Sequence, residues 1–181
     1  GERIDVAVAR ATSFFPSGRN VSLENSKFTI RDVYDKPLMA DLDLNVTGSA
    51  DTIAELASFE PINALKNTAF KPEEFSGNVT AHATATVGLL KSQSPPPPVW
   101  AAELNLKGVS LAKPIAERKV SAVDGTLHLD NQSLKLAGKG RVDDVPMTIN
   151  LVQPIGKASQ TARNLKLTAS LEPGQRSEER R

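Results

Sequence analysis

Apolar and polar residues alternate with a period of two over most of this 181-residue chain. The alternation is unbroken over residues 38–47 and 79–87. Because successive side chains of a β-strand point to opposite faces, this pattern predicts strands with one apolar and one polar face. Shorter alternating runs occupy residues 4–8, 100–106, 127–129, 134–136, 147–151 and 165–171. The sequence therefore predicts roughly nine or ten antiparallel strands, since buried parallel strands would read as continuous apolar runs.

A sheet of this kind has to cover its apolar face, because burying apolar surface stabilises a fold by ~25 cal/mol per Å². Three arrangements meet this need. The sheet can pack against a second sheet, close into a barrel, or stay half open and shelter acyl chains. The alternation alone does not choose among them.

The composition excludes several classes of protein. With 22 Lys and Arg against 21 Asp and Glu, the net charge is +1, which lacks the basic excess of a nucleic-acid-binding protein. The absence of cysteine excludes disulfide scaffolds, thiolate zinc sites and cysteine nucleophiles. Six Phe, one Trp and one Tyr leave the apolar positions to Leu, Val and Ala. Such small aliphatic side chains make a thin core, but they leave room for a flexible apolar ligand.

No catalytic motif is present in the sequence. His82 and His128 lie on the polar side of alternating runs without further metal ligands at fixed spacing. Asp41 and Asp43 share a strand face, as an acid–base pair would, but any solvated strand face shows the same spacing. We therefore expect a protein that is not an enzyme, with no catalytic residue, no metal site and no cofactor.

Turn-forming residues separate the predicted strands. Residues 124–125, 130–132 and 143–144 are each typical of tight turns, because Asp, Asn and Gly tolerate a positive φ. Gly138 and Gly140 lie within a strand pattern, where a bulge or a sharp bend is the usual reason for glycine.

Three segments depart from the strand pattern. Thr52 and Glu55 have the spacing of a capping box, and Pro61 suits the first turn of a second short helix, which together predict a helical connector over 52–67. Four consecutive prolines make 92–98 a stiff loop. The charged residues 172–181 are expected to be a disordered tail.

A faint internal repeat relates residues 21–30 to residues 127–136. In both segments an acidic residue followed by Asn interrupts the alternation, which resumes three residues later. Two such units suggest a sheet extended by repeated hairpins.

The order of these motifs resembles the periplasmic repeat region of the AsmA-like proteins of Gram-negative bacteria, in particular their YhdP- and TamB-type members. The similarity covers roughly residues 20–155 and consists of loose hydrophobic and glycine patterns. The segments that carry it are 48–50, 53–59, 60–66, 70–72, 75–81, 104–109, 123–127, 134–140 and 145–147.

The resemblance implies an antiparallel, strongly twisted sheet that forms an open, taco-like groove or half-barrel. Such proteins are similar to bridge-like lipid transfer proteins and have no catalytic residues. The resemblance further implies a periplasmic location, a parent chain anchored in the inner membrane, an outer-membrane partner, and a role in phospholipid transport and envelope integrity. Residues 1–171 would then be a single groove segment cut from a longer chain.

The leading hypothesis assigns acyl-chain solvation to one set of apolar residues. The alternative is a closed β-sandwich that serves as an interaction or adhesion module, in which the same residues form a dry core. The candidate groove lining consists of Val6, Val8, Leu42, Leu44, Val46, Leu104, Leu106, Leu127, Leu129, Leu134, Leu136, Ile149, Leu151, Leu165 and Leu167.

Overall fold

The computed structural model describes residues 1–60, 62–66, 68–155 and 164–169. Within them the chain forms one nine-stranded antiparallel sheet in which each strand pairs with the next along the sequence. The first and last strands do not pair with each other, so the sheet is not closed. The strands are β1 (Ile4–Phe14), β2 (Asn20–Ile30), β3 (Met39–Ser49), β4 (Phe75–Gly88), β5 (Val99–Leu111), β6 (Val120–Asp130), β7 (Ser133–Val142), β8 (Val145–Pro154) and β9 (Asn164–Ala169).

This architecture confirms the prediction of an open antiparallel sheet and agrees with an open, twisted groove. The described residues form a single sheet rather than two facing sheets, so among them the predicted alternative of a closed sandwich is not seen. The predicted tail over 172–181 lies outside the described residues.

One short helix, α1 (Ala50–Ser58), follows β3 directly. It begins three residues earlier than the capping-box spacing predicts: Ser49 is the N-cap, and Thr52 lies inside the helix with its hydroxyl 2.8 Å from that of Ser49. Residues 62–66 form turns rather than the predicted second helix. Two 3₁₀ turns, Pro72–Glu74 and Lys91–Gln93, precede β4 and the proline segment.

The turn predictions are right at two places and wrong at the third. Residues 131–132 link β6 to β7, and Asp143 and Asp144, with φ of 50° and 64°, link β7 to β8. Residues 124–125 instead lie inside β6. The irregularity there is a bulge, in which Ala122 has a φ of 50° and the pairing with β7 shifts between Ser121 and Asp124.

The predicted repeat of hairpins is also wrong for its first copy. Residues 21–30 lie in the single strand β2, where Asn25 has a φ of 45° and the register with β3 shifts between Glu24 and Lys27. The acidic–Asn pair therefore marks a bulge in β2, whereas in the second copy it opens the turn between β6 and β7.

The hydrophobic core lies on one face of the sheet, over its central strands. Trp100, the second residue of β5, is 7% exposed and packs in this core. Its neighbours Ala102 and Leu104 on the same face are also buried. Toward β1 and β9 the apolar face becomes exposed, because no further strand or helix among the described residues covers it.

Candidate functional site: the apolar face of the sheet

One row of directly paired apolar residues crosses all nine strands. Each residue in the row is the cross-strand partner of the next, so their side chains share one face and lie side by side. The row is Ala11, Leu23, Val46, Ala81, Leu104, Leu127, Leu136, Leu151 and Leu165.

Two shorter rows lie beside the first on the same face. The first joins β1 to β5 through Val6, Phe28, Leu42, Ala85 and Trp100. The second joins β3 to β7 through Leu44, Ala83, Ala102, Leu129 and Leu134. The alternation in the sequence thus becomes a continuous apolar surface, whose order is set by strand register.

The fifteen candidate lining residues all lie on this face, but they differ in exposure. Val46, Leu104, Leu129 and Ile149 are buried in the core, where other side chains surround them. Leu44, Leu106, Leu127, Leu134 and Leu136 are half-buried and pack against that core. Val8, Leu42 and Leu151 are half-buried outside it, and Val6, Leu165 and Leu167 are exposed.

This gradient divides the face into a floor and two margins. The buried residues hold the sheet together and have little surface left for a ligand. The half-buried and exposed residues supply the accessible apolar surface. Leu165 in β9 is 55% exposed and Val6 in β1 is 47% exposed, so the surface remains open at both edge strands.

Several core residues were missed because they lie outside clean alternating runs. Val109, Val123 and Val142 are buried although each lies beside a bulge or a turn. The register shift that a bulge introduces changes which residues face inward, and a period-two pattern does not show it. Ile53 of α1 is likewise buried against the sheet.

Helix α1 covers the apolar face at one end of β3. A Cβ on Gly48 would lie 3.3 Å from Val21 Cγ1 and 3.6 Å from Ile53 Cδ1, so glycine lets the helix approach closely. The sheet is therefore capped at this end by a helix that buries Ile53 and Ala50.

Arg19, in the loop between β1 and β2, forms hydrogen bonds with helix α1. The guanidinium donates to Asp51 Oδ2 at 3.0 Å and to Glu55 Oε2 at 2.9 Å, and the Ser17 hydroxyl donates to the same Glu55 oxygen at 2.7 Å. The hydrogen bonds from Ser17 and Arg19 lower the pKa of Glu55. Partial burial acts to raise the pKa of Asp51, but its hydrogen bonds outweigh that effect and lower it.

The opposite face carries cross-strand ion pairs over β1–β4. Asp5 accepts hydrogen bonds from Arg3 at 2.7 Å and from the Thr29 hydroxyl at 2.7 Å, and Lys27 Nζ lies 3.3 Å from it. The hydrogen bonds from Arg3 and Thr29 hold the pKa of Asp5 far below its usual range. These pairs join β1 to β2 through their side chains.

The two carboxylates considered as an acid–base pair are both engaged. Asp41 accepts from Arg31 and from the Thr86 hydroxyl, and the hydrogen bonds from Arg31 lower its pKa. Asp43 Oδ1 lies 2.7 Å from His82 Nε2. Within the part of the chain that the structure describes, no group of three or more His, Asp or Glu side chains is placed to hold a metal ion.

A cleft of about 1010 Å³ lies on this polar face, between the strands and the proline segment. The segment is fastened at both ends: Gln93 Oε1 accepts from Leu38 N at 2.6 Å, and Asn131 accepts from Trp100 N at 2.9 Å and donates to Pro98 O at 3.1 Å. The sequence predicted a stiff loop here but gave no sign that it forms the wall of a cleft.

No family model, no curated protein and no solved structure matches this chain. In the described residues, no helix is long and apolar enough to cross a membrane.

Proposed function

We propose that this chain is a segment of a β-groove that shelters acyl chains. The observation that carries the proposal is the nine-strand apolar row, which is buried at its centre and open at β9. An exposed apolar surface of this extent is unfavourable in water and marks a site where an apolar partner binds. Flexible acyl chains match a surface built from Leu, Val and Ala, with Trp100 already enclosed in the core.

The polar face supports the same proposal because it carries charged side chains where the other face carries apolar ones. Asp5 and Asp41 are paired with Arg or Lys, and Asp43 Oδ1 lies 2.7 Å from His82 Nε2. These charged side chains keep that face exposed to solvent, and the pairs between neighbouring strands favour the observed register. Headgroups of a bound lipid would remain at the wet rim while the acyl chains lie against the leucines.

The location and partners belong to the same proposal and rest on the sequence resemblance to the AsmA-like proteins. We infer a periplasmic segment whose parent chain is anchored in the inner membrane and acts with an outer-membrane partner. The segment contributes to phospholipid transport between the two membranes and to envelope integrity. It acts without a catalytic residue or cofactor.

A matched pair of substitutions in β3 tests acyl-chain binding. Leu44 is half-buried on the apolar face, and Thr47 is exposed on the polar face of the same strand. We expect the unmodified chain to bind the fluorescent fatty acid cis-parinaric acid, Leu44→Glu to weaken binding at least ~10-fold, and Thr47→Glu to leave it unchanged. Circular dichroism establishes that both variants fold.

Two results would reject the proposal. One is the absence of parinaric acid binding to the unmodified, folded chain. The other is an equal loss of binding in the Leu44 and Thr47 variants, since only one of these residues faces the proposed groove.

A further inference from the structure

Charge is unevenly distributed along this nearly neutral chain. Residues 131–171 contain six basic residues and two acidic ones, a net charge of 6 − 2 = +4. The whole chain carries +1, so the remaining residues carry 1 − 4 = −3. The basic part includes β7, β8 and β9, which form one side of the sheet.

Strand register gathers three lysines of this part on the polar face. In β7, Lys135 lies two residues before Ala137 and Lys139 lies two residues after it. Ala137 pairs with Asn150 in β8, which in turn pairs with Lys166 in β9. The three lysines therefore surround a small residue and an amide; we call Lys135, Lys139 and Lys166 the lysine triangle.

The lysine triangle has no ion-pair partner among the described residues, whereas Arg10 in β1 and Lys27 in β2, and Arg3 and Arg31 beside these strands, each have one. The carboxylate opposite Lys139 is Asp124, which instead accepts a hydrogen bond from Gly108 N at 2.8 Å. Asp130, near Lys135, accepts from two backbone amides of the β6–β7 turn. Neither carboxylate forms an ion pair with the triangle, and three lysines beside these two carboxylates leave a net positive charge of 3 − 2 = +1 there.

A shallow cleft of about 280 Å³ opens beside the triangle. Its lining includes the polar side chains of Thr126, His128, Lys135 and Asn150 beside the apolar residues Leu136, Ala137, Leu151 and Val152. This combination of ammonium, hydroxyl and amide groups suits the phosphate of an anionic headgroup.

The other face of β9 carries exposed apolar side chains. Leu165 is 55% exposed and Leu167 is 41% exposed, and both alternate with Lys166. An edge with leucines on one face and lysines on the other matches a membrane interface, where apolar groups enter the acyl region and lysines reach the headgroups.

We infer that the edge formed by β7–β9 docks onto the surface of a lipid bilayer that contains anionic headgroups. The lysine triangle binds the headgroup phosphates, and Leu165 and Leu167 enter the interface. The docking shares Leu165 and Leu167 with the proposed groove, but the lysine triangle lies on the opposite face, so the failure of docking and the failure of the groove can be distinguished.

Vesicle co-sedimentation of the full chain tests the inference. We expect binding to phosphatidylcholine vesicles that contain phosphatidylglycerol, little binding to pure phosphatidylcholine, and a strong decrease between ~0.05 and ~0.5 M salt. A lysine near an anionic surface strengthens binding about fivefold, so Lys135→Gln, Lys139→Gln and Lys166→Gln together should weaken it about 100-fold.

Matched variants separate docking from general charge effects. Replacing Lys36, Lys91 and Lys107 by Gln removes the same charge elsewhere and should weaken binding much less. Leu165→Ser with Leu167→Ser should weaken binding at both salt concentrations. The triple variant of the lysine triangle should still bind parinaric acid as the unmodified chain does, which distinguishes failure of docking from failure of the groove.

Four outcomes would overturn the inference. They are no preference of the unmodified chain for phosphatidylglycerol, an equal loss in the two triple-lysine variants, unchanged binding in the double leucine variant, and full displacement by inorganic phosphate at constant ionic strength. The last result would mean that the triangle binds a soluble anion instead of a bilayer.

Discussion

Gly125 in β6 and Gly138 in β7 lie directly opposite each other with no room for a side chain between their strands. A Cβ on Gly138 would lie 2.9 Å from Gly125 Cα, and its other close neighbour is the Asp124 carbonyl oxygen. The two glycines therefore let β6 and β7 come together where β6 bulges.

Gly138→Ala should therefore destabilise the fold by about 1–3 kcal/mol, because the added methyl group forces the backbones of β6 and β7 apart. Urea unfolding followed by Trp100 fluorescence measures the change. Ala137→Ser, at the exposed neighbouring position, is the control and should change stability by less than ~0.5 kcal/mol. Equal effects of the two substitutions would contradict the close contact.

The position of a leucine in the apolar row determines how much unfolding free energy its truncation should cost. Leu104 is 7% exposed at the centre of the row, so Leu104→Ala should cost about 2–5 kcal/mol of unfolding free energy. Leu165 is 55% exposed at the edge, so Leu165→Ala should cost less than ~1 kcal/mol. Denaturant titration of both variants is the measurement, and a similar loss at the two positions would mean that β9 is covered.

The Arg19 contacts to α1 predict a dependence on pH. The pKa of Asp51 and that of Glu55 are both lower in the folded chain than in the unfolded chain, so the unfolded chain takes up protons first on acidification. The stability they contribute is present near neutral pH and is lost as the pH falls below about 5. Arg19→Gln should lower stability at neutral pH and flatten the acid limb of the profile. An unchanged acid limb in that variant would show that the Arg19 pairs do not act this way.

Asn131 predicts a local effect at the polar-face cleft. Its side chain accepts from Trp100 N and donates to Pro98 O, so Asn131→Ala leaves a backbone amide beside the core without its partner. The expected cost is about 1–3 kcal/mol, with faster hydrogen exchange at the Trp100 amide. Gln132→Ala, at the exposed next position, should leave that exchange rate unchanged.

Strand alternation was sufficient to predict an antiparallel β fold because the apolar face in this sheet is set mainly by period two, whereas the open form of the sheet was predicted from the family resemblance. Ten consecutive alternating residues in 38–47 correspond to β3 almost residue for residue. The bulges could not be found in this way. The pair Glu24-Asn25 lies in a bulge while Asp130-Asn131 opens a turn, since either backbone conformation satisfies the same local preferences.

Alternation predicts which residues share the apolar face, but it does not predict how exposed each of them is. Alternation places Leu104 and Leu165 on the same face without distinction. Their different burial follows from strand order, because β5 is central and β9 is an edge. The lysine triangle likewise depends on the register of β7 through β9 and does not appear as a run of charge in the sequence.

Native mass spectrometry of the purified, folded chain tests the central claim most directly. If the apolar face shelters acyl chains, chain purified from cells that make phospholipids should carry co-purifying lipid, identified by its released fatty acids, and Leu44→Glu should carry much less. A lipid-free monomer that also fails to bind an apolar dye such as ANS would contradict the account, because the exposed leucines would then have no apolar partner to shelter.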